Sequence, residues 1–442
     1  MSQTDLAKVG IHDKSFELHS VTGLVGRGVL ERPIDGNHGE IHPKGGDFVA
    51  SGVPFLMASD INNGVVDYSS CKFITVKQAD GLRKGFAKNG DVLLTHKATI
   101  GRTAIVQYHG HPYVMLTPQV TYYRVRNRQR LSNRYLRYYF ESSFFQSLLG
   151  QWAGAGATRA YLGITEQGKL PVVLPPYEKQ KKISAVLSAY DDLIENNRRR
   201  IALLERMAEQ LYREWFVRFR FPGYQQAKFE KGIPRGWESL PSSEVFEVMS
   251  GGTPKTDVAT HWNGDIPFFT PKDAPEDFYA LDTEKKVSPS GLAACNSKLY
   301  PKDTIFITAR GTVGKLALAL RDMVMNQSCY ALAPKSVEVP FFHFLALKAA
   351  VSTIKGVSNS GVFDNIVVDT FKIVPILLPS DDLLRNFNKL IAPTFDQVAS
   401  LLSANVPLAK TRDLLLPRLI SGKLRVDELD IQLPPSMQTE RA

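Results

Sequence analysis

The sequence repeats itself once, and this internal repeat constrains the fold more than any other feature. The matching pairs of segments are 52–56 and 265–269, 90–102 and 302–315, and 173–176 and 377–380. The first landmarks are 213 residues apart and the last are 204 apart. This period is far longer than the roughly 20–50 residues of solenoid repeats. It fits a globular domain followed by a long helix, so the sequence predicts a duplicated globule and a duplicated helix.

Length and composition are typical of a globular protein with two or three domains. The 442 residues are 43% hydrophobic and 22% charged, which is ordinary for such proteins. No apolar run approaches the roughly 18 residues of a membrane span, and the polar N-terminus lacks the layout of a signal peptide. Cys71, Cys295 and Cys329 show neither a disulfide framework nor zinc-binding spacing. We therefore predict a chain that works in a reducing cytoplasm.

The chain is basic, with a net charge of +10 and a pI of about 9.3. Such a balance favours a polyanionic partner, and nucleic acid is the commonest one. Many basic proteins bind no nucleic acid, so charge by itself does not decide between the two readings.

Changes in composition along the chain predict six segments. They are a first globule at 1–174, a first long helix at 175–222, a linker at 223–232, a second globule at 233–378, a second long helix at 379–425 and a C-terminal tail at 426–442. Short apolar runs between Gly, Asn and Pro are typical of strands and loops. We therefore predict an α+β fold in which two mixed α/β globules are joined by two long helices.

Both predicted helices carry apolar residues at alternating steps of four and three, which is the pattern of a coiled-coil seam. The seam residues predicted to pair the helices or to dock a partner are Ile183, Leu187, Ile194, Asn197, Ile201, Leu204, Leu211, Trp215, Ile391, Val398, Leu401, Leu408 and Leu415. Since the seams match within one chain, the simplest arrangement is antiparallel pairing of the two helices. That pairing would relate the two globules by a pseudo-two-fold axis.

Two features of the seams complicate this pairing. Asn197 and Asn405 occupy polar seam positions, and alignment of the two repeats staggers them, because Asn405 aligns with Ile201 rather than with Asn197. A polar seam residue lowers stability but fixes register and partner choice. Pro393 and Pro407 lie inside the second helix, where a proline typically costs about 3 kcal/mol and kinks or breaks the helix. We therefore expect a bent or interrupted second helix.

The sequence contains few signs of catalysis. Residues 174–177, Leu-Pro-Pro-Tyr, resemble the tetrapeptide of amino-methyltransferases but have Leu where those enzymes need Asn, Asp or Ser. No phosphate-binding loop of the Gly-x-x-x-x-Gly-Lys-Ser/Thr form occurs, and the nine histidines show no paired ligand spacing of the His-Glu-x-x-His kind. The sequence therefore predicts neither a catalytic residue nor a metal site in this chain.

Two equivalent loops, 95–102 and 308–315, are the best candidates for contacts with DNA. Each combines two cations, small residues and a hydroxyl within eight positions. Glycine lets the backbone approach a phosphate, Thr can bond phosphate or base, and Arg can form paired bonds to guanine. The predicted DNA-binding residues are Lys97, Thr99, Arg102, Lys255, Lys272, Arg310, Thr312 and Lys315. The alternative is that each loop is an ordinary turn with solvated cations.

Five segments resemble the sequences of specificity subunits of type I restriction–modification systems. They are 211–217, 233–237, 250–254, 264–268 and 412–424. The resemblance implies that the two globules are target recognition domains, each reading one half of a split double-stranded DNA site. It also implies that the two helices pair antiparallel, set the spacer between the half-sites and dock two methyltransferase (modification) subunits.

The same resemblance implies what other subunits would supply. The methyltransferase subunits would bind S-adenosylmethionine and methylate adenine. Restriction/translocase subunits would use ATP and Mg²⁺ for translocation and cleavage. This chain would then be a non-catalytic adaptor that binds none of these cofactors, placed in the cytoplasm of a prokaryote and not in a membrane.

The first globule departs from the family pattern because the Gly-Gly-Thr-Pro segment at 251–254 has no clear counterpart in it. Residues 23–28 are only a rough equivalent. We therefore predict that the globules read different half-sites and that the target is asymmetric. The alternative is a coiled-coil scaffold with two binding heads and no DNA readout, which salt-dependent retention on DNA would distinguish. A restriction-enzyme fragment that retains chemistry is a third reading, which a methylation assay on the chain alone would test.

Overall fold

The computed structural model describes residues 10–154, 160–357 and 365–438. The chain divides into two compact units. The first unit comprises Met1–Leu193 and Leu408–Ala442, and the second unit comprises Ile194–Pro407. Each unit contains a mixed α/β globule and a stretch of each of two long helices, which confirms the predicted α+β fold class.

The globule of the first unit is built on two sheets. Its strands are β1 (Glu17–Ser20), β2 (Ile34–Asp35), β3 (Val53–Leu56), β4 (Ile61–Asn62), β5 (Val65–Val66), β6 (Lys72–Ile74), β7 (Phe86–Ala87), β8 (Val92–Lys97), β9 (Thr99–Ile105), β10 (Val114–Leu116), β11 (Val120–Tyr123) and β12 (Pro171–Leu174). Its helices are α1 (Val21–Gly26), α2 (Val76–Asp80), α3 (Asn133–Glu141), α4 (Ser143–Gly154) and α5 (Ile164–Gln167), with 3₁₀ turns at Gly39–Ile41, Gly45–Asp47 and Ala58–Asp60. The main sheet has the order β2-β11-β8-β9, the smaller sheet has the order β6-β3-β10-β7, and β1 pairs separately with β12.

A long helix, α6 (Tyr177–Tyr212), follows β12 and ends in a π-helical turn at Arg213–Val217. Its first turn carries Glu178, and a negative charge there interacts favourably with the helix dipole. Within the π-helical turn, Trp215 and Phe216 are both buried. Such a turn inserts one extra residue into the helical register, so two consecutive aromatic side chains reach the same core.

The globule of the second unit repeats the plan of the first. Its strands are β13 (Phe229–Glu230), β14 (Ile233–Pro234), β15 (Glu238–Pro241), β16 (Phe246–Ser250), β17 (Ile266–Phe269), β18 (Tyr279–Ala280), β19 (Lys285–Val287), β20 (Ile305–Thr308), β21 (Leu316–Ala319), β22 (Val324–Met325), β23 (Cys329–Pro334) and β24 (Pro375–Leu378). Its helices are α7 (Ser242–Val245), α8 (Pro289–Ala293) and α9 (Pro340–Val357), with 3₁₀ turns at Tyr224–Gln226, Ala259–His261, Pro271–Asp273 and Val368–Lys372. The second long helix, α10 (Asp381–Ile420), follows β24, and α11 (Pro435–Gln438) lies near the C-terminus.

Strand order establishes the internal repeat. The main sheet of the second unit has the order β16-β23-β20-β21-β18, and the smaller sheet has the order β19-β17-β22. The parallel pair β3 and β10 of the first unit recurs as the parallel pair β17 and β22. The antiparallel pair β1 and β12 recurs as β15 and β24. The repeat read from the sequence is therefore a repeat of strand topology.

The two long helices run antiparallel. In the first unit, Ile183 and Leu187 near the start of α6 share a core with Leu416 and Leu419 near the end of α10. In the second unit, the end of α6 shares a core with the start of α10, where the rings of Trp215 and Phe387 lie 5.3 Å apart.

One expectation about the seams is wrong, and so is the interruption that was expected in the second helix. Asn197 and Asn405 are not staggered, because Asn197 Nδ2 donates to Asn405 Oδ1 at 2.9 Å. Alignment of the two repeats matches residues of the two helices in the same chain direction. Antiparallel helices run in opposite directions, so the residues that meet in the seam are not the ones that the alignment matches. The second helix is also continuous from Asp381 to Ile420. Pro393 and Pro407 lie on its exposed face, where water can bond the carbonyls that they leave free.

Candidate nucleic-acid interface

Four loops of the second unit meet at the carboxyl ends of β17 and β22 and form what we call the second loop cluster. The four loops are 251–255, 270–273, 309–315 and 326–328. Because β17 and β22 are parallel, the segments after them leave the sheet at one edge. Main-chain bonds then join the loops: Asn326 N donates to Phe269 O at 3.0 Å, and Ala309 N donates to Ser328 O at 2.8 Å.

The loop at 270–273 is a short 3₁₀ turn that its own side chains hold in place. The N–H and hydroxyl of Thr270 donate to Asp273 Oδ2 at 2.9 and 2.6 Å. Pro271 stands at the first helical position, where its fixed φ suits the turn. Thr312 Oγ1 donates to the Pro271 carbonyl at 3.1 Å. The Thr312 hydroxyl therefore ties the 309–315 loop to its neighbour.

The other predicted DNA-binding residues of the second unit fall into two groups. Lys255, Lys272 and Arg310 are exposed on the second loop cluster, where their charges are accessible to a phosphate backbone. Lys315 is half-buried and its ammonium forms an ion pair with Glu276. Lys315 thus has a structural partner, and a DNA contact by any of these residues stays a prediction.

The first unit carries an equivalent first loop cluster at the ends of β3 and β10. Its four segments are 35–38, 57–60, 117–119 and the hairpin end of β8 and β9 at 96–102. Thr117 N donates to Leu56 O at 3.0 Å, and His96 N donates to Gln119 O at 2.9 Å. These two bonds occupy the same places as the main-chain bonds of the second loop cluster. The repeat therefore extends to the individual hydrogen bonds that hold the loops.

The hairpin between β8 and β9 carries the predicted residues of the first unit. It turns at Ala98, which has a positive φ of 65°, and the flanking Lys97 and Thr99 are exposed. The guanidinium of Arg102 donates to Asn62 Oδ1 at 2.8 Å and to two backbone carbonyls at 3.3 Å. Arg102 therefore secures the adjoining loop, while Lys97 and Thr99 flank an accessible hairpin tip.

Gly36 is the counterpart of Gly251, and the rough equivalence proposed for residues 23–28 is wrong. Residues 23–26 lie in α1, whereas Gly36 follows β2 as Gly251 follows β16. A Cβ on Gly36 would lie 1.9 Å from Leu116 O, and a Cβ on Gly251 would lie 2.2 Å from Asn326 O. Both positions require glycine because two backbone segments approach closely there. The signal was weak because a single glycine between Asp35 and Asn37 does not resemble a glycine pair.

Sequence reasoning missed Gln327, which is exposed in the second loop cluster. The hydroxyl of Thr253, on a neighbouring loop of the same cluster, donates to Gln327 Oε1. A comparison of the turns after β10 and β22 would have identified Gln327. That comparison needs the strand register, which the sequence does not provide.

The predicted seam residues all lie on the inner or partly buried faces of the helices. Those that are buried are Ile183, Leu187, Ile194, Asn197, Ile201, Trp215, Ile391, Val398 and Leu401. Those that are half-buried are Leu204, Leu211, Leu408 and Leu415. Docking of a partner protein on these helices stays a prediction.

An ionic network of buried and half-buried side chains joins both long helices to the globule in the first unit. Asp191 of α6 accepts from Arg137 of α3 at 2.9 Å, from Arg412 of α10 at 2.7 Å and from the Tyr138 hydroxyl at 2.7 Å. Burial by itself would raise the pKa of Asp191, but the charges of Arg137 and Arg412 outweigh it and hold that pKa below its usual value.

The same network reaches the strand that follows the hairpin tip. Arg137 also donates to Glu141 at 3.0 Å. Glu141 in turn accepts from the hydroxyl of Thr103 on β9 at 2.6 Å. The position of β9 is therefore linked through side chains to the helix pair in this unit.

A buried carboxyl group, that of Glu205, links α6 to the globule in the second unit. Glu205 is 9% exposed, and its Oε1 accepts from Phe278 N at 2.6 Å. Burial raises the pKa of Glu205 to about 7, more than its hydrogen bond to Phe278 lowers it. Lys348 lies over the Phe278 ring, with Nζ 4.4 Å from the ring centroid, and pairs with Glu209 at 2.8 Å.

The described residues contain no group of three or more His, Cys, Asp or Glu arranged to hold a metal ion. In the same ranges, no helix is both long enough and apolar enough to cross a membrane. Cys71, Cys295 and Cys329 are free thiols.

Comparison with known proteins assigns the chain to a family. The model of the type I restriction modification DNA specificity domain matches residues 37–206 and again residues 234–406. The chain therefore belongs to the type I restriction modification DNA specificity family, and it carries the domain twice. The resemblance predicted from sequence segments is thus confirmed.

Individual relatives agree with this assignment. The chain is 26% identical over 389 residues to the type I restriction enzyme MjaIX specificity subunit of Methanocaldococcus jannaschii, which covers 85% of this chain and 88% of that protein. It is 23% identical over 437 residues to the HindI specificity subunit of Haemophilus influenzae, covering 84% and 94% of the two chains. The crystal structure of a type I restriction–modification S subunit from M. genitalium shares the fold, with a TM-score of 0.54, 15% identity and coverage of 92% and 96%.

Proposed function

We propose that this chain is a non-catalytic specificity subunit that reads a split DNA target, with one half-site bound by each loop cluster. One observation carries this proposal: the same four-loop cluster is built twice on the same strand frame. At the equivalent hairpin tips, an exposed Lys97 stands in one cluster and an exposed Arg310 in the other.

Electrostatics supports the proposed partner. Exposed Lys97, Lys272 and Arg310 would neutralise phosphates and release counterions, so binding would weaken steeply as salt rises. Polar side chains on the same loops would read base edges, since phosphate contacts alone carry no sequence information. The net charge of +10 acts in the same direction.

The two clusters hold different residues on equivalent frames, which supports an asymmetric target. The tip sequence Lys97-Ala98-Thr99 of the first cluster stands where the second has Arg310-Gly311-Thr312. Because Arg can form paired bonds to guanine and Lys acts as a point charge, the two tips would prefer different bases.

Methylation and cleavage would belong to partner subunits. The curated relatives are named as specificity subunits of restriction enzymes, which supports a complex with two methyltransferase subunits and with restriction/translocase subunits. S-adenosylmethionine, ATP and Mg²⁺ would bind to those partners. The cytoplasm, where prokaryotic DNA lies, would be the site of action.

Base-modification sequencing of DNA tests the proposal. DNA would be compared from cells that express this chain together with its modification subunits and from cells that lack this chain alone. We expect one split, asymmetric methyladenine motif to disappear with the chain. A purified complex that shows no sequence-specific methylation and no salt-dependent binding to DNA would contradict the proposal and favour the scaffold alternative. A palindromic motif would contradict the asymmetry.

A further inference from the structure

The two loop clusters contain the same tight turn between equivalent strands. In the second unit, Cys329 N donates to Asn326 O at 3.2 Å and closes a β-turn after β22. In the first unit, Val120 N donates to Thr117 O at 3.1 Å and closes the corresponding turn after β10. The two turns therefore present their second residues from the same place on the frame.

These second residues differ in chemistry. Gln327 in the second unit is exposed and has a planar amide. Pro118 in the first unit is half-buried and has neither a donor nor an acceptor in its side chain. The difference lies on an otherwise matched backbone, so it is confined to what the side chain offers.

The amide of Gln327 is held in a defined orientation. Thr253 Oγ1 donates to Gln327 Oε1, which fixes the oxygen side of the amide. The oxygen keeps a second lone pair, and Nε2 keeps two donor hydrogens. An amide with one acceptor and one donor side by side matches the N6 donor and N7 acceptor that adenine presents in the major groove.

The neighbouring loops supply the charge that would seat this amide against a base edge. Ala309 N donates to Ser328 O at 2.8 Å, so exposed Arg310 adjoins the turn in the same cluster. Exposed Lys272 lies on the loop that follows β17, and that loop is joined to the turn through the bond from Asn326 N to Phe269 O. Phosphate contacts from such cations fix the register of a protein on the duplex.

We propose that Gln327 is a specificity-determining residue that reads an adenine through its N6 and N7 atoms in the half-site bound by the second unit. Thr253 is its positioning residue. The first unit makes no such contact at the equivalent position, because Pro118 stands there. The inference rests on the proposed function and adds to it one residue and one base.

The test uses the full chain assembled with its modification subunits. The methylated motif and the base preference at each position would be determined for wild type and for Gln327→Ala, Gln327→Glu, Thr253→Val and Thr253→Ser. Pro118→Ala is the matched control in the first unit. Retained assembly and retained DNA binding at low salt would show that each variant is folded.

We expect Gln327→Ala to lower the preference for adenine at one position of one half-site about tenfold to a hundredfold. Gln327→Glu should move that position towards cytosine, because a carboxylate accepts from cytosine N4. Thr253→Val should weaken the adenine preference and Thr253→Ser should retain it. Pro118→Ala should change no position.

An unchanged motif in assembled, DNA-binding Gln327→Ala and Gln327→Glu complexes would overturn this inference. That result differs from failure of the proposed function, in which the wild-type complex itself would show no split motif. A loss of preference spread over both half-sites would also overturn it, since the contact is assigned to the second unit alone.

Discussion

Asn197 and Asn405 face each other across the helix seam, with the Asn197 amide nitrogen 2.9 Å from the Asn405 amide oxygen. Asn197 is 9% exposed, and its apolar neighbours on the seam offer no other partner of this kind. The bond therefore pairs one donor of the buried Asn197 with the amide oxygen of the half-buried Asn405, and it favours one register of the two helices.

Replacing one member of this pair should be worse than replacing both. We expect Asn197→Leu or Asn405→Leu to destabilise the chain by about 1–3 kcal/mol, because each leaves an amide without its partner. The double variant should recover most of that loss, since two leucines pack well in a seam. Urea unfolding of the four proteins in a double-mutant cycle measures the coupling. Strict additivity of the two single effects would show that the amides do not interact.

Asp191 should be a sensitive carboxylate of the first unit. Asp191→Asn removes the charge that Arg137 and Arg412 share, and Arg137 has a side chain only 8% exposed. Breaking a buried pair from one side typically costs about 3–5 kcal/mol. Asp413→Asn is the matched control, because that carboxylate pairs with Arg412 while 62% exposed and should have a small effect. Denaturant midpoints that are equal for the two variants would contradict this ranking.

The lowered pKa of Asp191 also predicts how the stability of the chain changes in acid. Because the pKa of Asp191 is lowered in the folded chain, its ionised form stabilises the fold above its usual pKa, and this contribution is lost as the pH falls through the lowered value. Wild type should therefore lose stability in acid, whereas Asp191→Asn should lose less. Unfolding free energies of both proteins, measured from about pH 7 down to about pH 3, give the comparison.

The raised pKa of Glu205 predicts that the stability of the chain has the opposite dependence on pH. Its folded-state pKa is raised to about 7 from the usual 4.5, so the folded chain holds this proton more tightly than the unfolded chain. The resulting stability is fully present below the unfolded pKa and is lost as the pH rises through about 7. Glu205→Gln keeps an oxygen for Phe278 N–H and has no proton to lose. Between about pH 5 and 8, wild type should lose up to about 3 kcal/mol relative to Glu205→Gln.

A matched control for that experiment lies on the same helix. Glu195 pairs with Arg199 at 2.8 Å on the surface of α6. Glu195→Gln should follow the pH profile of wild type. A constant difference between wild type and Glu205→Gln across this pH range would show that Glu205 remains ionised throughout.

The exposed and the paired cations should differ in their effect on DNA binding. Lys97→Ala and Arg310→Ala should each weaken binding by the assembled complex and reduce the slope of log K against log salt by about one. Lys315→Ala is the control, because Lys315 pairs with Glu276 in the fold and should change the slope less. Fluorescence anisotropy over a salt series measures all three. If Lys97→Ala and Arg310→Ala keep the wild-type slope, both hairpin tips are ordinary turns.

The helices were the part of the fold that the sequence predicted best. Seam positions such as Ile183, Leu187 and Val398 are buried because heptad spacing has a direct geometric meaning in a helix. The effect of Pro393 and Pro407 was not predictable in the same way. Whether a proline breaks a helix depends on which face it occupies, and both lie on the exposed face of a helix packed along its other side.

The loop clusters were predicted only in part, because their contacts join segments far apart in the chain. Lys97 and Arg310 were found through the repeat of the hairpin sequences. Gly36 and Gln327 were missed, because the first is defined by its approach to Leu116 O and the second by its place in a turn between strands. Neither relationship leaves a local pattern, since each depends on which strands are neighbours in the sheets.

Main-chain bonds are one part of what holds each loop cluster together. Asn326 N bonds Phe269 O, and Ala309 N bonds Ser328 O; the side chains of Lys272, Arg310 and Gln327 take no part in these bonds. Exchange of exposed side chains such as Lys272 and Arg310 therefore leaves these main-chain bonds in place. Over evolutionary time, a protein built in this way is free to change the DNA sequence that it recognises by point mutation. Its fold and its place in a larger assembly are retained.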